Sequence, residues 1–262
     1  MTNALLALLI VTLALLGWRA VTRDRRDYAR FKRLRSTRLR RRVFRRWVAE
    51  SWLVLGGLAA ALLLAGAPYV GPALEDARGR GPLAFIPWES DLVTGLLVGA
   101  GVGTVMFLVV PVLLLRGKLE EIPAVGDIRA LLPRNRGELP YGAALGVTAG
   151  VVEELLFRLA MPAVAFGITG DGLLAFGVSA LVFGLLHVYQ GWQGMLLSVL
   201  LGLLFTVLYV LSGSIAVPIA AHALIDLRSL VLIPVVLGGA WHRAPTPPAR
   251  GTAPPAPASP TR

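Results

Sequence analysis

Gly150-Val-Val-Glu-Glu-Leu-Leu-Phe-Arg158 sets two adjacent carboxylates and an arginine inside an otherwise apolar run. In a membrane-like setting each unpaired charge costs about 3 kcal/mol even on insertion scales. Three charges in such a place require internal pairing, a chemical use, or both. On a helix, positions four apart share a face and neighbours lie about 100° apart. Glu154 and Arg158 therefore stack, with the acid N-terminal to the base, the favourable order for an ion pair. Glu153 points elsewhere and is left to face a polar cavity, although the reach of an arginine also leaves a Glu153–Arg158 pairing open.

The surroundings agree with a membrane setting. Of 262 residues, 56% are hydrophobic and only 16% charged, and the mean hydropathy is +0.70; a soluble domain carries about 25% charged residues. Several apolar runs approach the ~20 residues needed to cross a bilayer. The expectation is an all-α, polytopic transmembrane bundle of about seven to eight spans, multi-pass and in the plasma membrane. The net charge of +11 is concentrated: residues 19–46 hold 14 Lys/Arg and 2 Asp, and the remainder is close to neutral. A basic run can bind nucleic acid, but few aromatics accompany this one and an apolar stretch follows at once. It reads instead as a cytoplasmic loop obeying the positive-inside rule and touching anionic lipid, with no nucleic-acid partner. The chain has no cysteine, which removes disulfides, thiolate chemistry and Cys-based zinc sites.

In chain order, residues 1–18 read as a short, uncleaved span with its N-terminus outside, and 19–46 as the basic, partly helical loop. Residues 47–138 hold two further spans, near 52–70 and 92–115, with connecting loops and a short surface helix in 116–140. Residues 139–239 form a core with only six charges, in helices near 141–166, 173–189, 195–211 and 215–237, the last with potential breaks at Arg228 or Pro234. Residues 240–262 are a Pro/Ala-rich tail expected to be disordered.

Within that core, two of the three histidines stand on separate helices. His187 ends Phe183-Gly-Leu-Leu-His187, and His222 opens His222-Ala-Leu-Ile-Asp226, whose Asp226 shares its face. His242 lies at the tail and carries no expected role. Ionisable groups inside a membrane cluster because they meet. A carboxylate withdrawn from bulk water is a competent general base, imidazoles hold or move protons, and a donor can face a developing oxyanion. The same set, Glu153, His187, His222 and Asp226, also suits a divalent metal such as zinc, although no His-Glu-x-x-His pair occurs.

Glu153-Glu154-x-x-x-Arg158, then Phe183-x-x-x-His187, then His222-x-x-x-Asp226, in this order, resembles the CAAX-protease and bacteriocin-processing (Abi) family of intramembrane proteases, which includes the type II CAAX prenyl endopeptidases. The resemblance implies hydrolysis of a peptide bond in a membrane-associated protein or peptide. It implies that Glu153 activates water with His187, and that His222 and position 226 stabilise the oxyanion. Glu154, Arg158 and Phe183 would support the site. Both metalloendopeptidase and glutamate-type mechanisms are described for the family, and the sequence does not choose between them. Position 226 is Asp where the prenyl endopeptidases have Asn, and an ionised Asp cannot donate a hydrogen bond. Two other readings stay open: a non-catalytic scaffold or immunity protein of the same fold, and a proton-coupled transporter using the same acids and histidines as a relay. Oligomeric state is not legible.

Overall fold

The computed structural model describes residues 2–80, 85–87, 90–118 and 125–245, and the described residues are helical with no strand among them. Helices α1 (Thr2–Lys32) and α2 (Thr37–Arg78) run antiparallel around a four-residue turn. Arg23 Nη2 lies 2.5 Å from Glu50 Oε1, Arg46 Nη2 lies 2.8 Å from Asp27 Oδ2, and Phe31 packs edge-on to Phe44 at 5.2 Å. The basic segment 19–46 is thus not an open loop but the paired ends of two helices. Asp24 pairs with Arg19, while Asp27 and the nearby Glu50 are each shared among arginines, which relieves part of the like-charge repulsion that would fray a cationic helix.

The apolar arms of this hairpin pack on the centre of the molecule. Leu5, Leu16, Ala59 and Leu62 are buried with Leu156, Phe157, Met161 and Val164. These last belong to α4, a continuous helix over 139–169 that contains a wider π-turn at Leu155–Ala160. Next in chain order is α3 (Asp91–Leu114), capped by the Ser90 side chain, which accepts from Val93 N. The surface helix expected in 116–140 is a single 3₁₀ turn, Arg129–Leu131, among the described residues.

Helices α5 (Gly172–Leu186) and α6 (Gly191–Ser212) are joined by a 3₁₀ turn at His187–Gln190. Gly191 closes that turn at φ +77°, a conformation that only glycine adopts cheaply. The two helices fold back on each other, for Phe176 meets Tyr209 at 5.8 Å. In one straight helix these residues would lie about 50 Å apart.

Helix α7 (Ala216–Val236) lies antiparallel against α4. Gly142, Gly146 and Gly150 line the α4 face of this crossing. A Cβ at Gly146 would sit 2.9 Å from Asp226 Cβ, and one at Gly150 would sit 2.8 Å from Ala223 N. Small residues every fourth position let two backbones approach inside a membrane, where lipid supplies no hydrophobic force between helices. No break occurs in α7, whose turn at Arg228–Leu232 is widened instead.

Among the described residues, four stretches are long and apolar enough to cross a membrane: Thr2–Lys32, Thr37–Arg78, Gly172–Ser212 and Ala216–Val236. The third holds two antiparallel helices because it doubles back at His187. The expected count of seven or eight spans is not established by this measure. Large apolar side chains face outward along these stretches, Leu64 at 86% exposure and Leu53 at 77%. Such a surface suits lipid and not water, and the chain is an integral membrane protein. Most of the tail, residues 246–262, where disorder was expected, lies outside the described residues.

Candidate active site

Three helices deliver the site. From α4, Glu153 and Glu154 diverge as helical phase requires: Glu154 is fully buried, whereas Glu153 is half-buried and borders a cavity. Glu154 Oε2 lies 3.1 Å from Arg158 Nε. The angle is not that of a hydrogen bond, and both atoms are buried without one. Arg158 is held instead by a bond from Nη2 to the Gly202 carbonyl, 3.1 Å, and by the rings of Phe183 and Phe205 at 4.5 and 5.4 Å. That arrangement lets a buried guanidinium keep its charge among aromatic faces.

Helix α7 supplies His222 and Asp226. His222 Nδ1 donates to Glu154 Oε1 at 2.7 Å, while its Nε2 lies 3.9 Å from Asp226 Oδ2. Its ring stacks on Phe205 at 4.8 Å and stands edge-on to Phe183 at 5.9 Å. Glu154 thus serves two partners, Arg158 along its own helix and His222 across the glycine-lined crossing. The helical phase of α4 alone shows the first partner and not the second.

The end of α5 supplies His187. Because the helix stops there, the ring turns inward, and its Nδ1 bonds the Phe183 carbonyl at 2.8 Å. A carbonyl only accepts, so Nδ1 carries the proton and Nε2 of the neutral ring offers a lone pair. The break also resolves a mismatch of depth. Counted along straight helices, Glu153 falls near mid-bilayer and the two histidines near opposite ends, yet Glu153, His187, His222 and Asp226 all line one cavity of about 330 Å³.

Other lining residues carried no recognisable signal. Tyr189 and Gln190 sit on the His187 turn, Gln190 donating to the Tyr189 hydroxyl at 3.0 Å, and Ser198 faces the same space from α6. Phe205 is one phenylalanine in an apolar helix until α7 brings His222 onto it. The Gly142-x-x-x-Gly146-x-x-x-Gly150 spacing was available as a packing signal. The cavity reaches Arg19, Asp24 and Tyr28 of α1, so one end opens toward the basic hairpin.

Glu153 makes no hydrogen bond or ion pair among the described residues, which leaves its carboxylate available to the cavity. No three His, Asp or Glu side chains among the described residues converge as a metal shell. The placed donors therefore do not fit a bound zinc ion in this geometry.

No curated protein and no solved structure matches the chain significantly. The family described as Type II CAAX prenyl endopeptidase Rce1-like does match, over residues 135–228. That interval opens just before α4 and closes just after Asp226, and so holds Glu153, Glu154, Arg158, His187, His222 and Asp226. Residues 135–228 are thus similar to the Rce1-like type II CAAX prenyl endopeptidase family, which the three motifs also resemble.

Proposed function

We propose that this protein is an intramembrane endopeptidase that cleaves a peptide bond of a membrane-associated protein or peptide with a water activated by Glu153. The observation that carries this reading is the cavity itself. One unpaired glutamate, two histidines and an aspartate, drawn from three helices, face a common space inside an apolar bundle. In the proposed reaction Glu153 takes a proton as the water oxygen attacks the scissile carbonyl carbon. The Nε2 lone pair of His187 accepts a hydrogen bond from the second water proton and holds the nucleophile in line. The former carbonyl oxygen becomes an oxyanion facing His222, whose doubly protonated ring donates Nε2–H while Glu154 holds the other nitrogen. As the tetrahedral intermediate collapses, the C–N bond breaks and the proton held by Glu153 passes to the leaving amine. Such proton transfer contributes about 10²–10⁴-fold, and removing one oxyanion donor costs about 10²–10³-fold.

Asp226 is 3.9 Å from His222 Nε2, too far for a hydrogen bond. In this reading it biases the charge of His222 and leaves Nε2 open to the oxyanion. The protein sits in the plasma membrane with the basic hairpin on the cytoplasmic side, where the cavity end near Arg19 admits a peptide from that face. Substrate capture tests the reading. A Glu153→Gln variant reconstituted in membranes should accumulate peptides that the wild type cleaves, identified by mass spectrometry. If wild type and variant return the same uncleaved set, the endopeptidase reading is lost. If zinc copurifies one-to-one with active protein and its chelation stops turnover, the water is metal-activated and the role given to Glu153 alone is wrong.

A further inference from the structure

An open surface concavity, lined by residues other than those of the Glu153 cavity, is formed by the exposed Arg38, Arg41, Arg42, Arg45 and Arg46 with Tyr141 and has a volume of about 780 Å³. The five arginines follow the spacing of one helical face, three and four apart. No carboxylate lines the space. Arg38, Arg42 and Arg45 make no hydrogen bond or ion pair among the described residues. Arg46 is tied to Asp27 and Glu50. Arg41 donates to the Tyr141 hydroxyl at 2.8 Å and lies 4.8 Å from that ring.

The cradle has a rigid back. Arg40, one residue from Arg41, is buried and bonds Glu138 at 2.9 Å, and Glu138 stands three residues before Tyr141. The tyrosine wall of the space, on α4, is therefore fixed to the arginine wall on α2 by a buried ion pair. Among the described residues Arg38, Arg42 and Arg45 have no carboxylate partner to offset their mutual repulsion, and guanidinium groups bind phosphate oxygens in a planar, forked geometry.

We propose that this cradle binds the phosphate headgroup of an anionic phospholipid. The lipid source follows from position on α2. Trp52, half exposed, lies about 10 Å beyond Arg45 at 1.5 Å per residue, and Trp marks the membrane–water boundary. Leu53 follows at 77% exposure, so a headgroup in the cradle has acyl-facing surface directly beneath it. The site goes beyond the general attraction of a basic segment to a membrane, because it requires particular arginines and not their number. It also stands apart from the peptidase reading.

The test is binding of short-chain phosphatidylglycerol to the purified full-length protein in neutral detergent, read by native mass spectrometry, with pyrophosphate as a parallel arm. R38Q/R42Q/R45Q should weaken lipid binding at least about tenfold, since each basic group near a headgroup contributes on the order of a few-fold or more. A charge-matched control on α1, R25Q/R26Q/R30Q, should stay within about threefold at physiological salt. Equal weakening by both triples would overturn the cradle in favour of diffuse charge. Pyrophosphate binding as tight as the lipid would overturn the lipid assignment. Should the cradle triple misfold, Arg42→Gln alone should still cost about fivefold, and an unchanged affinity there would also sink the proposal.

Discussion

Two fully buried arginine–glutamate pairs sit at different places in this molecule, and they are built alike up to a point. In the basic hairpin, Arg40 lies 4.2 Å from the Phe31 ring and pairs with Glu138. In the region that matches the family, Arg158 lies 4.5 Å from the Phe183 ring and pairs with Glu154. Both guanidinium groups also reach backbone carbonyls, Ala130 and Leu132 in one case and Gly202 in the other. The difference lies in what else the carboxylate does. Glu138 accepts from Arg40, from the Arg134 amide and from the Arg134 side chain, and lines no described cavity. Glu154 passes one oxygen to His222 and leaves Oε2, with Arg158 Nε and Nη1, buried without a hydrogen bond. Buried polar groups left under-satisfied require an explanation. Here the pair holds an imidazole against a cavity, whereas the hairpin pair only locks two helices together.

The largest effect that would break this contrast is catalytic. Glu153→Ala or His187→Ala should lower peptide cleavage about 10²–10⁴-fold with thermal unfolding unchanged, because neither side chain is part of a buried pair. Retained turnover in either variant would detach the cavity from the chemistry. Next in size is the hairpin pair. Arg40→Ala leaves Glu138 a buried acid without its main partner and should cost about 3–5 kcal/mol of stability, read by denaturation in detergent. Cleavage per folded molecule should survive. Glu154→Ala should lose stability and activity together, so if the two variants behaved alike the distinction between the pairs would collapse.

The glycine crossing sharpens the same point at smaller scale. Gly150→Ala drives a methyl group against the Ala223 backbone and should destabilise by about 1–3 kcal/mol. By moving α7 it should also reduce cleavage, whereas Gly99→Ala, which meets open space, should do neither. The smallest effect is expected from Asp226→Asn. The amide keeps shape and, at 3.9 Å, no hydrogen bond to His222 is lost. A collapse of activity comparable to Glu153→Ala would show Asp226 to be a direct participant.

Much of this architecture is legible along the chain. The apolar runs mark helices because an isolated backbone in lipid must satisfy its own hydrogen bonds. The i,i+4 phase brings Glu154 onto Arg158 and sends Glu153 away, since both follow from 3.6 residues per turn. The order of the Glu-Glu-x-x-x-Arg, Phe-x-x-x-His and His-x-x-x-Asp motifs points to the family. The separation of α5 from α6 is legible too, because Gln190-Gly-Trp192 marks a turn between two apolar runs. Two things required the tertiary structure. The Glu154–His222 bond spans 68 positions and exists because glycines on α4 let α7 approach. The arginine cradle depends on Tyr141 arriving beside α2, which local charge counting cannot foresee. Periodicity and composition are local and survive in one dimension. Partnership between distant polar groups is decided by which helices touch and how closely, and in this molecule those contacts are governed by residues with almost no side chain.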